Sequence, residues 1–350
     1  MKFRIFLVVA SCVVSLITGF VISRSGSSTE SARPHAGPLI GLSMDTLKEE
    51  RWQGDRDLFV RRARELGADV LVQSANSDDT RQISDVQALI SRRVDVLVIV
   101  PHNGGAMAKA VNIAHDAGIP VLAYDRLITD CDLDLYMTFD NEKVGELQAQ
   151  FLVDHLARDR KKKIVRIYGA KTDNNALLFK RGQDKVLTPL INNEIEVVHE
   201  DWAQDWKPEN AKKIASAAIT KAGANFDAIL ASNDGTAGGA IQALSEEGLA
   251  GKILVTGQDA ELSACQRIVN GTQAMTIYKP LSRLAKQAAE AATKMARAKP
   301  VFAPDEINNG RIDVPSILLD VVVVTKENMM NTIVKDGFHK ATDVYRNLPR

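Results

Sequence analysis

Four polar pairs stand at the ends of four short apolar runs, and they are the residues most suited to chemistry. Asp125-Arg126 follows VLAY, Asn233-Asp234 follows AILAS, Gln258-Asp259 follows ILVTG, and Tyr278-Lys279 follows MTI. Carboxylate, guanidinium, amide and ammonium groups at such places both donate and accept hydrogen bonds. Two carboxylates accept hydroxyl protons; an arginine and a lysine donate charge-assisted bonds and partly neutralise the acids. That mixture suits a neutral ligand with vicinal hydroxyls. A purely anionic ligand would meet two like charges. Tryptophan is scarce, and Trp52, Trp202 and Trp206 all stand near expected element ends. A ring on each side of a sugar would cover its apolar C–H faces, the amphipathic use of aromatics in pockets; a peripheral core tryptophan is the plainer alternative.

Short Val-, Ile- and Leu-rich runs alternating with helical stretches are the pattern of buried parallel strands. From Pro38 the expected order is strand PLIGLSM, helix 52–66, strand ADVLVQSA, helix 79–93, strand VDVLVIVP, helix 104–117 and strand PVLAYDR. LDLYMTFD then leads into a helix over 141–157. The second half continues with strand KIVRIYGA, helix 174–191, strand EIEVVHE, helix 208–222, strand DAILASN and helix 236–247. Strand KILVTGQ, helix 261–269, strand QAMTIYK and helix 281–297 complete it. Gly67 and Gly118 stand where helices should end. Such alternation implies parallel sheets with right-handed crossovers, and ligands of open α/β sheets bind outside the strands' carboxyl ends.

With 350 residues the chain is long enough for two cores. The expected fold class is α/β: two three-layer α/β/α lobes with parallel sheets, joined by a multi-segment hinge. Residues 38–140 and 280–310 are assigned to an N-terminal lobe, 141–279 and 311–340 to a C-terminal lobe, and 341–350 to a tail. The chain crosses near Phe139-Asp140-Asn141 and Tyr278-Lys279-Pro280, and the stretch around 300–315 reads as an irregular return passage before ILLDVVVVT.

Residues 1–37 are of another kind. Lys2 and Arg4 precede an apolar stretch from Ile5 to Ile22, followed by Ser-, Gly- and Pro-containing sequence. This is a secretory signal peptide or an uncleaved N-terminal anchor plus linker; Ala32 and Ala36 are the candidate cleavage positions, and Cys12 lies too early to follow a full apolar region as a lipid-modified cysteine. Beyond it only Cys131 and Cys265 remain, in different lobes, and unpaired thiols are expected.

Other function classes lack their marks. Lys+Arg and Asp+Glu are both 44, without the basic excess of a nucleic-acid binder. No dinucleotide or phosphate-loop glycine string, nucleophile elbow or Cys/His cluster occurs, and the six histidines are scattered. No catalytic residue, metal site or cofactor is expected. Thr236-Ala237-Gly238-Gly239-Ala240 opens a helix either as an anion cradle or, more plainly, as small residues for close packing against the sheet. Asp173-Asn174-Asn175 reads as a helix N-cap that also offers a ligand contact.

The strings LKEERWQGDRDLFV, VQSAN, VDVLVIVPHNG, VLAYDRLI, FDNEKVGELQA, DNNA, ASNDGTAGGAIQAL, GQDAEL and TIYKP carry a resemblance from about Ile40 to about His339. Together they resemble the pentose/hexose-binding family of bacterial ABC-importer receptors, with the type I periplasmic-binding fold, and most of all its D-xylose binders. The resemblance implies two lobes joined by three hinge segments with the sugar buried between them. By motif it implies ligand contacts from Arg51, Trp52, Asp125, Arg126, Asn174, Trp206, Asn233, Asp259 and Lys279. It further implies a monomeric extracytoplasmic receptor, with D-xylose or a related monosaccharide as ligand. Its partners would be the permease and ATPase subunits of an importer, or a membrane sensor. Lys48, Gly54 and Lys171-Thr172 depart from the family pattern at the pocket's approaches and leave pentose and hexose both open. The fold is also that of the sensor domains of LacI-type repressors; here their DNA-reading place holds the export segment.

Overall fold

In the computed structural model, which describes residues 37–156, 159–191 and 193–346, the apolar runs become strands and the 3.6-period stretches become helices. The expected export segment lies outside the described residues. Strands β1 (Leu39–Met44), β2 (Asp69–Ser74), β3 (Val96–Ile99), β4 (Val121–Tyr124) and β5 (Leu135–Phe139) alternate with helices α1 (Glu50–Glu65), α2 (Asp79–Ser91) and α3 (Ala108–Asp116). Strands β1, β3, β4 and β5 are buried throughout, so they read as continuous apolar runs rather than as alternation.

After α4 (Asn141–His155) a second sheet begins. Its strands are β6 (Lys162–Tyr168), β7 (Ile195–Trp202), β8 (Ala228–Ala231) and β9 (Leu254–Val255). Between them run α5 (Asn174–Leu187), α6 (Pro208–Ala222) and α7 (Asp234–Glu246); α8 (Leu262–Val269), β10 (Thr276–Tyr278) and α9 (Leu281–Ala296) follow. Strands β11 (Asp305–Asn308), β12 (Asp313–Leu319) and β13 (Val322–Val324), a π-helical turn at Met330–Val334 and α10 (Ala341–Val344) complete the chain.

The first sheet has seven strands in the order β11-β12-β5-β4-β3-β1-β2, all parallel except the β11–β12 pair; the second has four parallel strands, β7-β6-β8-β9. An antiparallel β10–β13 ribbon forms a third, small sheet. Two lobes result. One core lies on each face of the first sheet, and α9 belongs to one of these through Leu281, Leu284, Ala285 and Ala288. The second sheet is likewise covered on both faces. The fold class is therefore two α/β/α lobes.

Four local expectations are corrected. The irregular passage around 300–315 contains the β11–β12 hairpin, with Asn308 and Asn309 side chains accepting backbone N–H bonds in its turn. Strand β12 pairs with β5, so 313–319 belongs to the first sheet. The apolar run ILLDVVVVT is split at Asp320, and the return crossing stands there rather than at 310/311. There the Asp140 N–H donates to the Leu319 carbonyl (3.1 Å), tying two of the three crossing segments together. The start of the assigned tail is packed: Val344 is buried in a core with Cys265, Ile268 and Met329. Gly239 packs close, but against helix α6 rather than the sheet; a Cβ there would stand 2.0 Å from the Pro208 carbonyl oxygen. Cys131 and Cys265 are unpaired and buried in separate cores. Among the described residues no helix is long and apolar enough to cross a membrane.

Candidate functional site

Each lobe delivers one carboxylate to the cleft by the same local device. Asp125 is the first residue after β4 and has φ 64°; its N–H donates to the Met137 carbonyl of β5 (2.7 Å). Asp259 follows β9, has φ 95°, and its N–H donates to the Ile277 carbonyl of β10 (2.8 Å). A left-handed backbone at a non-glycine residue costs on the order of 1–3 kcal/mol and persists only where its surroundings over-determine it. The surroundings do so at Asp125. Its carbonyl accepts from the Thr138 hydroxyl (2.6 Å), the Tyr136 hydroxyl (3.1 Å) and Asn175 Nδ2 (3.0 Å).

Arg51 joins the two acids. It sits in the first turn of α1, 7% exposed, with Nη2 2.6 Å from Asp125 Oδ2, Nη1 3.4 Å from Asp259 Oδ1 and Nε 3.3 Å from Asp55 Oδ2. Lys279, at the end of β10, is buried with Nζ 2.9 Å from Asp259 Oδ1. Arg126 bonds Asp45 Oδ2 through Nη1 (2.7 Å) and reaches Asp173 Oδ2 in the other lobe through Nε (2.9 Å). Burial alone would raise the Asp125 carboxyl. The positive charges of Arg51, Lys279 and Arg126 outweigh it and hold the group below the ordinary carboxylate range.

Arg51, Asp125, Arg126, Asp173, Asp259 and Lys279 line one pocket between the lobes, with about 420 Å³ of space free of atoms, part of it open to solvent. Eight of the nine residues implied by motif stand in its wall: Arg51, Trp52, Asp125, Arg126, Trp206, Asn233, Asp259 and Lys279. Asn174 does not; Asn175 does. The reason is helix phase. Asp173 is the N-cap of α5, its Oδ1 accepting the Asn175 N–H (2.9 Å), so Asn174 is the first helical residue and Asn175, one step round, faces the cleft. There Asn175 Nδ2 donates to Asp125 Oδ1 across the cleft (3.1 Å), and its Oδ1 accepts from Asn141 (2.9 Å).

Trp52 is buried, with the guanidinium carbons of Arg51 and Arg126 4.1 and 5.1 Å from its ring centre. Trp206 donates from Nε1 to Asp173 Oδ2 (3.1 Å) and meets Phe179 edge-on. Its ring lies over Gly169, where a Cβ would come within 2.0 Å, so only glycine permits this approach. Trp202 instead packs at a tilt against Tyr168 at the sheet's edge, away from the pocket lining. Asn233 caps α7 in a reciprocal box with Thr236.

The wall also holds Glu49, Asp173, Phe179, Gln258 and Glu261. Asp173 and Gln258 belong to strings already singled out. Phe179 follows Asn175 by four residues, the helical spacing that would have found it. Glu49 Oε2 and Gln258 Oε1 are buried acceptors without a protein partner, and burial raises the Glu49 carboxyl. The lobes are closed on each other. Beyond the Arg51, Arg126 and Asn175 bonds, the Gly104 N–H donates to the Thr172 carbonyl (3.3 Å).

Known proteins share this architecture. The periplasmic binding protein domain family matches residues 40–300. The D-xylose-binding periplasmic protein of Haemophilus influenzae is 47% identical over 338 residues, covering 96% of this chain and 99% of its own. That of Escherichia coli is 50% identical over 306 residues, covering 87% and 92%. A crystallised carbohydrate transporter solute-binding protein from Chloroflexus aurantiacus, in complex with D-glucose, superposes with TM-score 0.82 at 33% identity, covering 87% of this chain and 97% of its own. The two-lobed α/β fold agrees with these matches: the chain belongs to the periplasmic binding protein family of sugar-transport receptors.

Proposed function

We infer that this protein is an extracytoplasmic receptor that captures D-xylose between its lobes and hands the closed complex to an ABC sugar importer. One observation carries the reading. A strand-end carboxylate from each lobe, Asp125 and Asp259, lines the interlobe pocket, and one buried arginine, Arg51, bonds both. Carboxylates accept from vicinal hydroxyls, while Arg51, Arg126, Lys279 and the amides of Asn175 and Asn233 donate. With five acidic side chains in the wall (Glu49, Asp125, Asp173, Asp259 and Glu261) against three cationic ones (Arg51, Arg126 and Lys279), the site suits a neutral polyol better than an anion. Trp52, Phe179 and Trp206 supply apolar faces for ring carbons. The similarity to D-xylose-binding proteins of two organisms supports the choice of sugar. Export by the N-terminal segment and docking to permease and ATPase subunits belong to the same proposal. No chemistry on the sugar is part of it.

A second reading keeps the mechanism and changes the sugar or its destination. The glucose complex of the Chloroflexus aurantiacus protein favours a hexose as an alternative ligand; glucose, galactose, arabinose and ribose are the competitors, and a chemosensory or kinase input the alternative output. A calorimetric panel of these sugars separates them. The expected result is one-to-one D-xylose binding at micromolar Kd or tighter, about −8 kcal/mol or better. A folded sample showing neither heat nor a thermal shift at millimolar xylose rules the assignment out.

A further inference from the structure

Among the buried polar groups beside the site is a pair that does not touch the cavity. Asp55 lies one helical turn beyond Arg51 on α1, is 1% exposed, and is absent from the cavity wall. Its Oδ2 faces Arg51 Nε at 3.3 Å, and its Oδ1 accepts the hydroxyl proton of Tyr124, the last residue of β4. Tyr124 is itself buried and packed edge-on against Phe59 of the same helix. All three residues belong to the first lobe, so the arrangement does not require closure.

A guanidinium binds in a plane, and fixing Nε fixes the direction of both terminal nitrogens. With Nε on Asp55, Nη2 points at Asp125 and Nη1 at Asp259. Without that bond the guanidinium would be held only by its terminal nitrogens and the Trp52 face, and the longer bond to Asp259 would be less firmly aimed. Resting on the sugar reading above, we propose that Asp55, held by the hydroxyl of Tyr124, is a positioning residue that aims Arg51 at the ligand and at the second lobe. Burial pushes the Asp55 carboxyl up to about 6, against the opposing charge of Arg51 and the Tyr124 hydroxyl bond, with the Asp125 carboxylate adding to the rise. These are the charged and titratable groups that face it: Arg51 on its own helix, Tyr124 and Asp125 from the β4 end. Acidification through about pH 6 therefore removes the negative charge that holds Arg51.

The test measures D-xylose affinity by calorimetry from pH 5 to 8 on the parent, Asp55→Asn, Tyr124→Phe and, as a control, Asp57→Asn, an exposed position on the same helix. The parent should weaken as pH falls through about 6. Asp55→Asn keeps the shape but not the charge; it should bind about tenfold or more weakly at pH 7.5 and lose that pH step. Tyr124→Phe removes the bond that opposes the rise of the Asp55 carboxyl, so the step should move to higher pH. Asp57→Asn should match the parent. An Asp55→Asn protein with the parent's affinity and pH profile overturns the proposal, as does a Tyr124→Phe protein whose step stays in place. A second measurement needs no sugar: the Arg51 Nε proton should exchange with solvent about tenfold faster in Asp55→Asn than in the parent. If the parent binds no sugar, the sugar reading falls. This exchange rate then decides the positioning claim alone: a tenfold rise upholds it and an unchanged rate overturns it.

Discussion

Asp259 is the residue at which most of the site's charge arithmetic meets. Lys279 and Arg51 both bond its Oδ1. Replacing it by alanine leaves a buried ammonium without its carboxylate, so Asp259→Ala should weaken xylose binding by about 2–5 kcal/mol. Lys161→Ala, at an exposed position, should leave calorimetric affinity unchanged. Equal effects at both would show that the pocket lies elsewhere. The helix phase at the start of α5 makes a finer contrast. Asn175→Ala removes the amide that bonds Asp125 across the cleft, worth about 1–3 kcal/mol in affinity. Asn174→Ala, one residue earlier and outside the wall, should cost a small fraction of that in the same titration.

At the scale of elements, the β9–α7 edge of the second lobe carries a buried acid that is not a cavity residue. Asp234 opens α7, and its carboxylate accepts from Gln273 Nε2 (2.7 Å), the Thr276 hydroxyl (2.9 Å) and the Glu261 N–H (3.0 Å). Burial, opposed by Arg267 and reinforced by Asp259, pushes its carboxyl up to about 7. Glu261 is pushed the same way, to about 8, chiefly by burial and then by the charge of Asp234. An unfolded aspartate titrates near pH 3.9. Between that value and the folded one, the native state holds a proton that the unfolded state has released. The stabilisation is therefore complete below about pH 4 and is lost as pH rises through about 7. Thermal unfolding should show Tm falling from pH 5 to pH 8, and Asp234→Asn should flatten that slope. An unchanged slope in the variant would assign the effect to other groups. Asp125 acts oppositely, since its lowered carboxyl contributes stability that disappears at acid pH.

For the whole molecule, the three crossings matter more than either sheet. Segments near 139–141, 278–281 and 319–322 connect the lobes, so a relative rotation changes few backbone angles. The cleft bonds Arg51–Asp259, Arg126–Asp173 and Asn175–Asp125 exist only when the lobes are together. Neither lobe alone presents the full set, and a ligand that touches both favours closure through its differential affinity. Saturating xylose should shrink the radius of gyration in solution scattering and change the fluorescence of Trp52 and Trp206. At about 100 times Kd it should stabilise the fold by about 2.7 kcal/mol. Unchanged scattering alongside real binding heat would mean that closure does not depend on the sugar.

Period and strand-end chemistry were readable without coordinates. Continuous Val/Ile/Leu runs of four to seven residues between helical stretches imply buried parallel strands, and a polar pair at the end of such a run stands at the sheet's carboxyl edge whatever the sheet order. For that reason Asp125, Arg126, Asn233, Asp259 and Lys279 were legible as a group, and the string around Arg51 and Trp52 through its resemblance. Three things were not legible, the first for the local geometry of a helix start and the other two because they depend on contacts distant in sequence. Helix phase put Asn175 rather than Asn174 at the cavity, because the N-cap fixes where the first turn points. Strand β12 joined the first sheet because β5 offered it an open edge, which no property of ILLDVVVVT encodes. The third is the triad of Asp55, Arg51 and Tyr124: its first two members are four residues apart, but its third is 69 residues beyond Asp55. Local periodicity is set by neighbours along the chain, whereas pairing of strands and burial of charge are set by which distant segments supply the missing bonds.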